Sequence, residues 1–393
     1  MRLVQMQATQ LKPGMFVAEI DRPWLDTPFA LQGFVIQNED DIDYVCRYVD
    51  WVQVDVEYSG SNIVLAHLGE RKPAPPSEGL SIKADFTQAK ACFESAADAL
   101  EKTFDSLKSG DLTDLSRVKK AVSPLISGVF RNKDAMAALL RLRASGKYLY
   151  NHSIAMAVWA AIVGRHIGLM ADTLEKLVIG CAMCDVGMSL FPKGKMPEKG
   201  ALDREARRLL IAHPILGANH VKKTGDCDME ILAIIEYHHE RFDGSGYPKG
   251  VKAHEIPLLA RIAGLVDSYD AMISQRQYAR QRTSFDAVQE LIDCSDKLFQ
   301  GVLVEQFVQA IGMFPVGALV ELNTGAVGIV IQQNPTRRLK PEILVILDAR
   351  KVPKSYFDVV DLSDGPLVGD QELWIVRELK AGSYGINSQD YFI

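Results

Sequence analysis

The chain has 393 residues, 48% of them hydrophobic and 24% charged, which excludes disordered and collagen-like classes and predicts two or three folded domains. Forty-four Lys and Arg against 50 Asp and Glu give a net charge of −6, which argues against nucleic acid or an anionic membrane as a general electrostatic partner. Six cysteines (Cys46, Cys92, Cys181, Cys184, Cys227, Cys294) in so long a chain read as reduced thiols rather than a disulfide scaffold.

In chain order, the first 70 residues read as β-rich. Met15, Val17 and Ile20 follow the turn Pro13-Gly14, and Val52, Val54 and Val56 alternate with Gln53, Asp55 and Glu57, the period of a half-buried strand. The segment ERKPAPPSEG from Glu70 concentrates Pro, Gly and charge and reads as a linker. Phe86, Phe93, Leu100 and Leu107 then recur every seven residues with Ala89 and Ala96 between them, the spacing of a helix packed along a narrow seam. Its partner is either a second helix of the same chain, running on from Asp111, or a second copy in a homodimer.

From Asp134 to Gly312 the pattern stays helical, with long runs at 172–184 and 284–298. The longest apolar stretch, residues 154–164, ends at Arg165 and His166, short of the ~20 residues that cross a bilayer. The opening MRLVQMQATQLKPG lacks the apolar run of a secretion signal, so the expected location is the cytoplasm, without membrane contact. At the C-terminal end, Leu319–Leu322 and 327–331 flank Asn323-Thr324-Gly325 as a β-hairpin with Gly where φ is positive, and 343–347 reads as a further strand.

Four histidines stand out in the helical region: His152, His213 and the adjacent pair His238-His239, together with the carboxylates Asp185 and Asp267. Neutral imidazole and carboxylate suit borderline transition metals such as Fe, Mn or Zn. One carboxylate can bridge two cations, and a bridged pair makes a hydroxide nucleophile available near neutral pH.

These residues carry a resemblance. His238-His239-Glu240-Arg241, Asp243-Gly244, Gly246-Tyr247-Pro248, Glu255-Ile256-Pro257, Asp267 to Asp270, and Arg276 with Tyr278 fall in order, with Asn151-His152-Ser153, Lys199-Gly200 and His213-Pro214 upstream. Over residues 135–312 the chain resembles the HD-GYP family, a branch of the metal-dependent HD phosphohydrolases. Its first part, with Gly14-Met15, Asp21, Trp24 and Gly33-Phe34, resembles the small domain that often precedes HD-GYP in bacterial signalling proteins. The implied fold is a multi-domain α+β chain. It has a β-rich N-terminal domain (1–70), a linker (71–83), a helical hairpin or connector (84–133), an all-α HD-type metal-binding bundle (134–312) and a C-terminal β-rich extension (313–393).

The resemblance implies hydrolysis of cyclic di-GMP to the linear dinucleotide or GMP by a metal-bound hydroxide. Carried over by position, one metal would be held by His152, Cys184, Asp185 and Asp267, and the other by Asp185 as the bridge with His213, His238 and His239. Two divalent ions, Fe or Mn, are implied, with a preference shifted toward Zn or Fe if Cys184 binds as thiolate. Tyr148 stands where trinuclear members carry Glu, so two metals are the expected maximum. Arg276 would contact phosphate, and Gly246, Tyr247 and Pro248 would contribute to ligand recognition and to contacts with diguanylate cyclase (GGDEF) domains.

The chain departs from the pattern at two places. Cys184-Asp185 replaces the family's His-Asp pair, and Met188 replaces a lysine. The loss of that cation predicts a slower enzyme, because a comparable donor to transition-state charge is worth ~10²–10³ in turnover. The alternative is a catalytically inactive module that binds cyclic di-GMP or docks a cyclase through the Gly-Tyr-Pro loop.

Overall fold

The computed structural model describes residues 3–22, 34–36, 39–55, 82–108, 114–141, 148–192, 203–225, 228–274, 281–334, 337, 339–368 and 371–391. Four short antiparallel strands open the chain: β1 (Leu3–Gln7), β2 (Phe16–Ile20), β3 (Phe34–Val35) and β4 (Trp51–Asp55), in the order β1-β4-β2-β3. Alternation sends Val52 and Val54 into a small core with Val17 and Ile36 while Trp51 stays exposed, as a half-buried sheet requires. A helix, α1 (Glu39–Cys46), lies between β3 and β4 in the chain, where the sequence reads only as strand-rich. Ile42, Val45 and Cys46 recur at helical spacing and pack on the sheet core, but two turns are too few for a clear period. The expected linker lies outside the described residues as far as residue 81.

The seam helix is α2 (Ile82–Lys108), followed by α3 (Leu115–Arg131), which Asp114 caps by accepting the Ser116 N–H at 3.0 Å. Phe86, Ala89, Ala96 and Leu100 are buried, and the stripe continues to Phe104, drifting as a 3.6-residue helix does against a seven-residue repeat. The side chain of Leu107 lies outside the described residues. This face packs on α3, α4 (Lys133–Arg141) and α5 (Tyr148–His166) of the same chain, so the seam is filled within the chain.

Helix α5 is the axis of the bundle. Every residue from Ile154 to Val163 is buried, because α2, α3, α4, α6 (Ala171–Met183), α9 (Leu258–Ile273) and α11 (Gly301–Ile311) surround it. Between α6 and α9 come α7 (Arg204–Lys222) and α8 (Met229–Tyr237), and α10 (Ser284–Asp293) precedes α11. The helical run expected over 284–298 stops at Asp293. There Asp296 turns to φ +55° and accepts the Gly301 N–H at 2.7 Å, while the Leu298 carbonyl accepts the Phe242 N–H at 3.0 Å. These bonds draw the backbone away from the helix axis.

The C-terminal sheet contains β5 (Leu319–Leu322), β6 (Val327–Gln332), β7 (Glu342–Leu347) and β8 (Pro353–Asp361), followed by a ribbon of β9 (Leu367–Val368) and β10 (Gln371–Glu372), and finally β11 (Ile375–Leu379). Its antiparallel order is β11-β5-β6-β7-β8, and Gly325, at φ +82°, closes the expected β5–β6 turn. One hydrophobic core runs continuously from α2 to this sheet, whereas the N-terminal sheet has its own.

Candidate metal centre

Five separate elements bring the histidines and carboxylates together. His152 lies near the start of α5, His213 midway along α7, His238 at the end of α8 with His239 next to it, and Asp267 on α9. Asp185 follows α6 and opens a short 3₁₀ turn over Val186–Leu190. That turn lies directly on α7: a Cβ on Gly187 would come within 2.0 Å of the His213 carbonyl oxygen and 2.8 Å of the Gly217 nitrogen. Gly187→Ala is therefore expected to push the Asp185 turn off α7 and to destabilise the fold by about 1–3 kcal/mol. Thermal unfolding measures this, and an unchanged midpoint would refute the close contact.

Asp185 is the hub. Its Oδ1 lies 3.1 Å from His213 Nε2 and 4.0 Å from His238 Nε2, while Oδ2 lies 3.6 Å from His152 Nε2. Asp267 faces the same space, with Oδ1 3.1 Å from His152 Nε2 and Oδ2 3.5 Å from His239 Nδ1. One donor atom from each of Asp185, His213, His238 and His239 lies within 4.8 Å of the others.

The tautomers explain why this group suits a cation. His213 Nδ1 is 2.5 Å from the Leu210 carbonyl and His238 Nδ1 is 2.8 Å from the Ile235 carbonyl. With Nδ1–H donating to backbone, the neutral form of each ring presents an Nε2 lone pair. Those two Nε2 atoms face each other across 3.2 Å, an arrangement that a shared positive charge stabilises. Burial first, then neighbouring His213, lowers the pKa of His238 to about 4, and burial and His238 lower that of His239 well below its usual value. Burial disfavours the charged form of Asp185, yet its contact with His213 and the charge of His152 lower its pKa below the ordinary range. Neutral imidazoles beside an ionised carboxylate form a donor set that fits a divalent metal.

His152 stands differently. Its Nε2 meets Asp267, and its Nδ1 lies 2.8 Å from Asp270 Oδ2. Burial opposes its charge, but the bonds to Asp267 and Asp270 raise its pKa to about 10. In metal-free protein it is therefore imidazolium below that pH, and a cation binding at Nε2 displaces the proton. Metal affinity is expected to rise about tenfold per pH unit between about pH 7 and 9 for each proton released. Titration with Mn²⁺ across that range measures it; a flat profile would contradict the assignment of Nε2. Asp270 also accepts from Trp159 Nε1 at 3.3 Å and Ser274 Oγ at 3.1 Å. The only sequence signal for this role of Asp270 is its place one helical turn after Asp267.

Cys184 is buried beside the carboxylates, outside the tight donor group. Burial first, and its hydrogen-bond contact with Cys181, raise its pKa well above the usual thiol value, so without metal it is a neutral thiol. Met188 is half-buried on the 3₁₀ turn. Arg276 lies outside the described residues, as does the side chain of Tyr148, whose backbone opens α5.

The Gly-Tyr-Pro loop folds back on the histidines. Glu240 accepts the N–H groups of Lys249 (2.6 Å) and Gly250 (3.1 Å), and the His239 carbonyl accepts that of Tyr247 at 3.2 Å. A Cβ on Gly246 would meet that same carbonyl oxygen at 2.4 Å, so only glycine permits the approach. The result is Tyr247 stacked on His239 with ring centroids 4.7 Å apart, and Pro248 adjoining it.

Residues 134–301 match the family model of the HD domain, residues 3–118 a domain of unknown function, and residues 319–381 a KOW domain associated with HD domain. A cyclic di-GMP phosphodiesterase of Pseudomonas aeruginosa is 29% identical over 370 residues, covering 92% of this chain and 89% of that protein. A cyclic di-GMP phosphodiesterase of Borreliella burgdorferi is 26% identical over 210 residues, or 53% of this chain and 55% of its own. Among solved structures, an HDG"Y"P protein from Bdellovibrio bacteriovorus aligns at TM-score 0.48 and 15% identity, covering 78% of this chain and 98% of that one. The helical bundle gathers a histidine–carboxylate cluster that could hold a metal ion. Residues 134–301 thus match the HD domain model, in agreement with the resemblance read from the sequence, and several of the proteins this chain is similar to are cyclic di-GMP phosphodiesterases.

Proposed function

We propose that the chain is a cyclic di-GMP phosphodiesterase of HD-GYP type, giving the linear dinucleotide or GMP. The observation that carries this reading is the two-sided Asp185 carboxylate, with Oδ1 towards His213 and His238 and Oδ2 towards His152. Such a carboxylate suits a bridge between two ions, one with His152, Asp267 and Cys184, the other with His213, His238 and His239. Fe or Mn fits these ligands, and Zn becomes the better fit if Cys184 ionises. Bound there, divalent cations would supply Lewis acidity towards phosphate oxygens and water.

The chain's own groups do the rest. His213 and His238 keep their Nδ1 protons on backbone carbonyls, so their Nε2 atoms stay oriented inward. Asp270 holds His152 in place. Tyr247, stacked on His239, offers an aromatic face to a guanine base, and Arg276 is assigned to a phosphate oxygen. The Gly246-Tyr247-Pro248 loop is also assigned to contact with a diguanylate cyclase domain. The described cysteines are free, which suits the cytoplasm, and no described helix is long and apolar enough to cross a membrane.

Protein purified without oxygen and loaded with Fe or Mn is expected to convert cyclic di-GMP to the linear dinucleotide or GMP. Retained nucleotide binding without turnover in either metal would eliminate the enzyme and leave a binding module.

A further inference from the structure

Glu378 lies on β11 of the C-terminal sheet, yet its side chain is only 1% exposed. It reaches into the helical bundle. Its Oε1 accepts from Arg141 Nη2, at the end of α4, at 2.5 Å, and its Oε2 accepts the Phe285 N–H, in the first turn of α10, at 2.8 Å. Arg141 also donates through Nη1 to the buried Ser284 hydroxyl. One carboxylate thereby ties α4, α10 and the sheet together.

The tie borders the metal-facing helix. Helix α10, which the tie grips at Ser284 and Phe285, packs on α9, where Tyr269 is fully buried. Its ring packs edge-on against Trp159 at 5.3 Å and Phe307 at 5.0 Å. Trp159 donates to Asp270, which holds His152. Asp267 and Asp270 occupy the same helix as Tyr269, two residues before and one after it, so any shift of Tyr269 carries both carboxylates with it.

Burying an ion pair costs desolvation that an apolar pair of similar size avoids, and its attested use is to fix one arrangement among several. We propose that Glu378 is a positioning residue for the metal centre, acting through Arg141 and the Tyr269 face of α9, so that the C-terminal sheet completes the scaffold of the bundle's site. This inference rests on reading the histidine–carboxylate cluster as a metal centre.

The test uses the full chain loaded with Co²⁺ and follows the visible absorption of the bound ion, the Co²⁺ dissociation constant and thermal unfolding. Glu378→Gln keeps the shape and one of the two acceptors and is expected to fall between the parent and Glu378→Ala. Glu378→Ala is expected to weaken Co²⁺ binding about tenfold, the lower end for partners that orient metal ligands, and to shift the absorption band at temperatures where the protein is folded. The double variant Arg141→Met with Glu378→Leu replaces the ion pair by apolar packing; it is expected to recover thermal stability while the spectrum stays shifted, and it supplies the reading should Glu378→Ala fail to fold. A lowered midpoint with unchanged Co²⁺ affinity and spectrum, or a double variant that restores both, would overturn the proposal. Absence of Co²⁺ binding by the parent chain would instead refute the metal centre itself.

Discussion

Asp185→Ala is expected to abolish metal loading and cyclic di-GMP hydrolysis together while leaving the helical bundle folded. The carboxylate is buried, and three imidazoles lie between 3.1 and 4.0 Å from its two oxygens. Without it, the Nε2 lone pairs of His213 and His238 face each other with no carboxylate between them to help attract a cation, and His152 keeps Asp267, Asp270 and through Asp267 its link to His239, but loses its link to His213 and His238. The loss should exceed the about 10–100-fold that follows removal of a residue merely orienting a ligand. Asp185→Asn keeps the volume and one oxygen acceptor but loses the charge, so it should bind weakly at one position only. Metal analysis, turnover and circular dichroism on the same preparations measure this. An Asp185→Ala protein that keeps parental metal content and rate would remove Asp185 from the reaction.

The second large effect has the opposite sign. The double variant Cys184→His with Met188→Lys is expected to raise turnover by about tenfold or more. In the parent, Cys184 is a buried thiol in hydrogen-bond contact with Cys181 and held neutral, so ionising it for a metal works against its surroundings. An imidazole is a ligand in its neutral form. At position 188 the turn after Asp185 carries a thioether in place of a cation, and an added lysine can meet charge developing on the phosphoryl oxygens. Such donors are worth ~10²–10³ in turnover when well placed, so partial placement still gives a measurable gain. An unchanged rate in a folded, metal-loaded double variant would contradict this account of the two departures. Reduced metal content in Cys184→His alone would identify the thiolate as an adapted ligand.

The cluster could be read from residue chemistry because His, His-His and Asp at intervals along one helical region have few joint uses, and because the segment from His238 to Pro248 is distinctive. Its supports were harder to read. Gly187 matters only because α7 passes over it, and Glu378 only because β11 lies against α4 and α10; neither contact leaves a local pattern. The helical period identified α2 and α6 well, since each buries one stripe or nearly everything. It overran at α10, where the left-handed Asp296 stops a helix whose apolar spacing continues. Strand β8 was missed because most of its nine residues are exposed, leaving no alternation to detect, and β11 likewise shows a mixed face.

Anomalous scattering from crystals grown with Mn²⁺ tests the central claim most directly. The predicted result is density for Mn²⁺ between Asp185, His213, His238 and His239, with a second peak near His152 and Asp267 if the centre is binuclear. Mn²⁺ bound elsewhere, with these side chains keeping only each other's company, would contradict it.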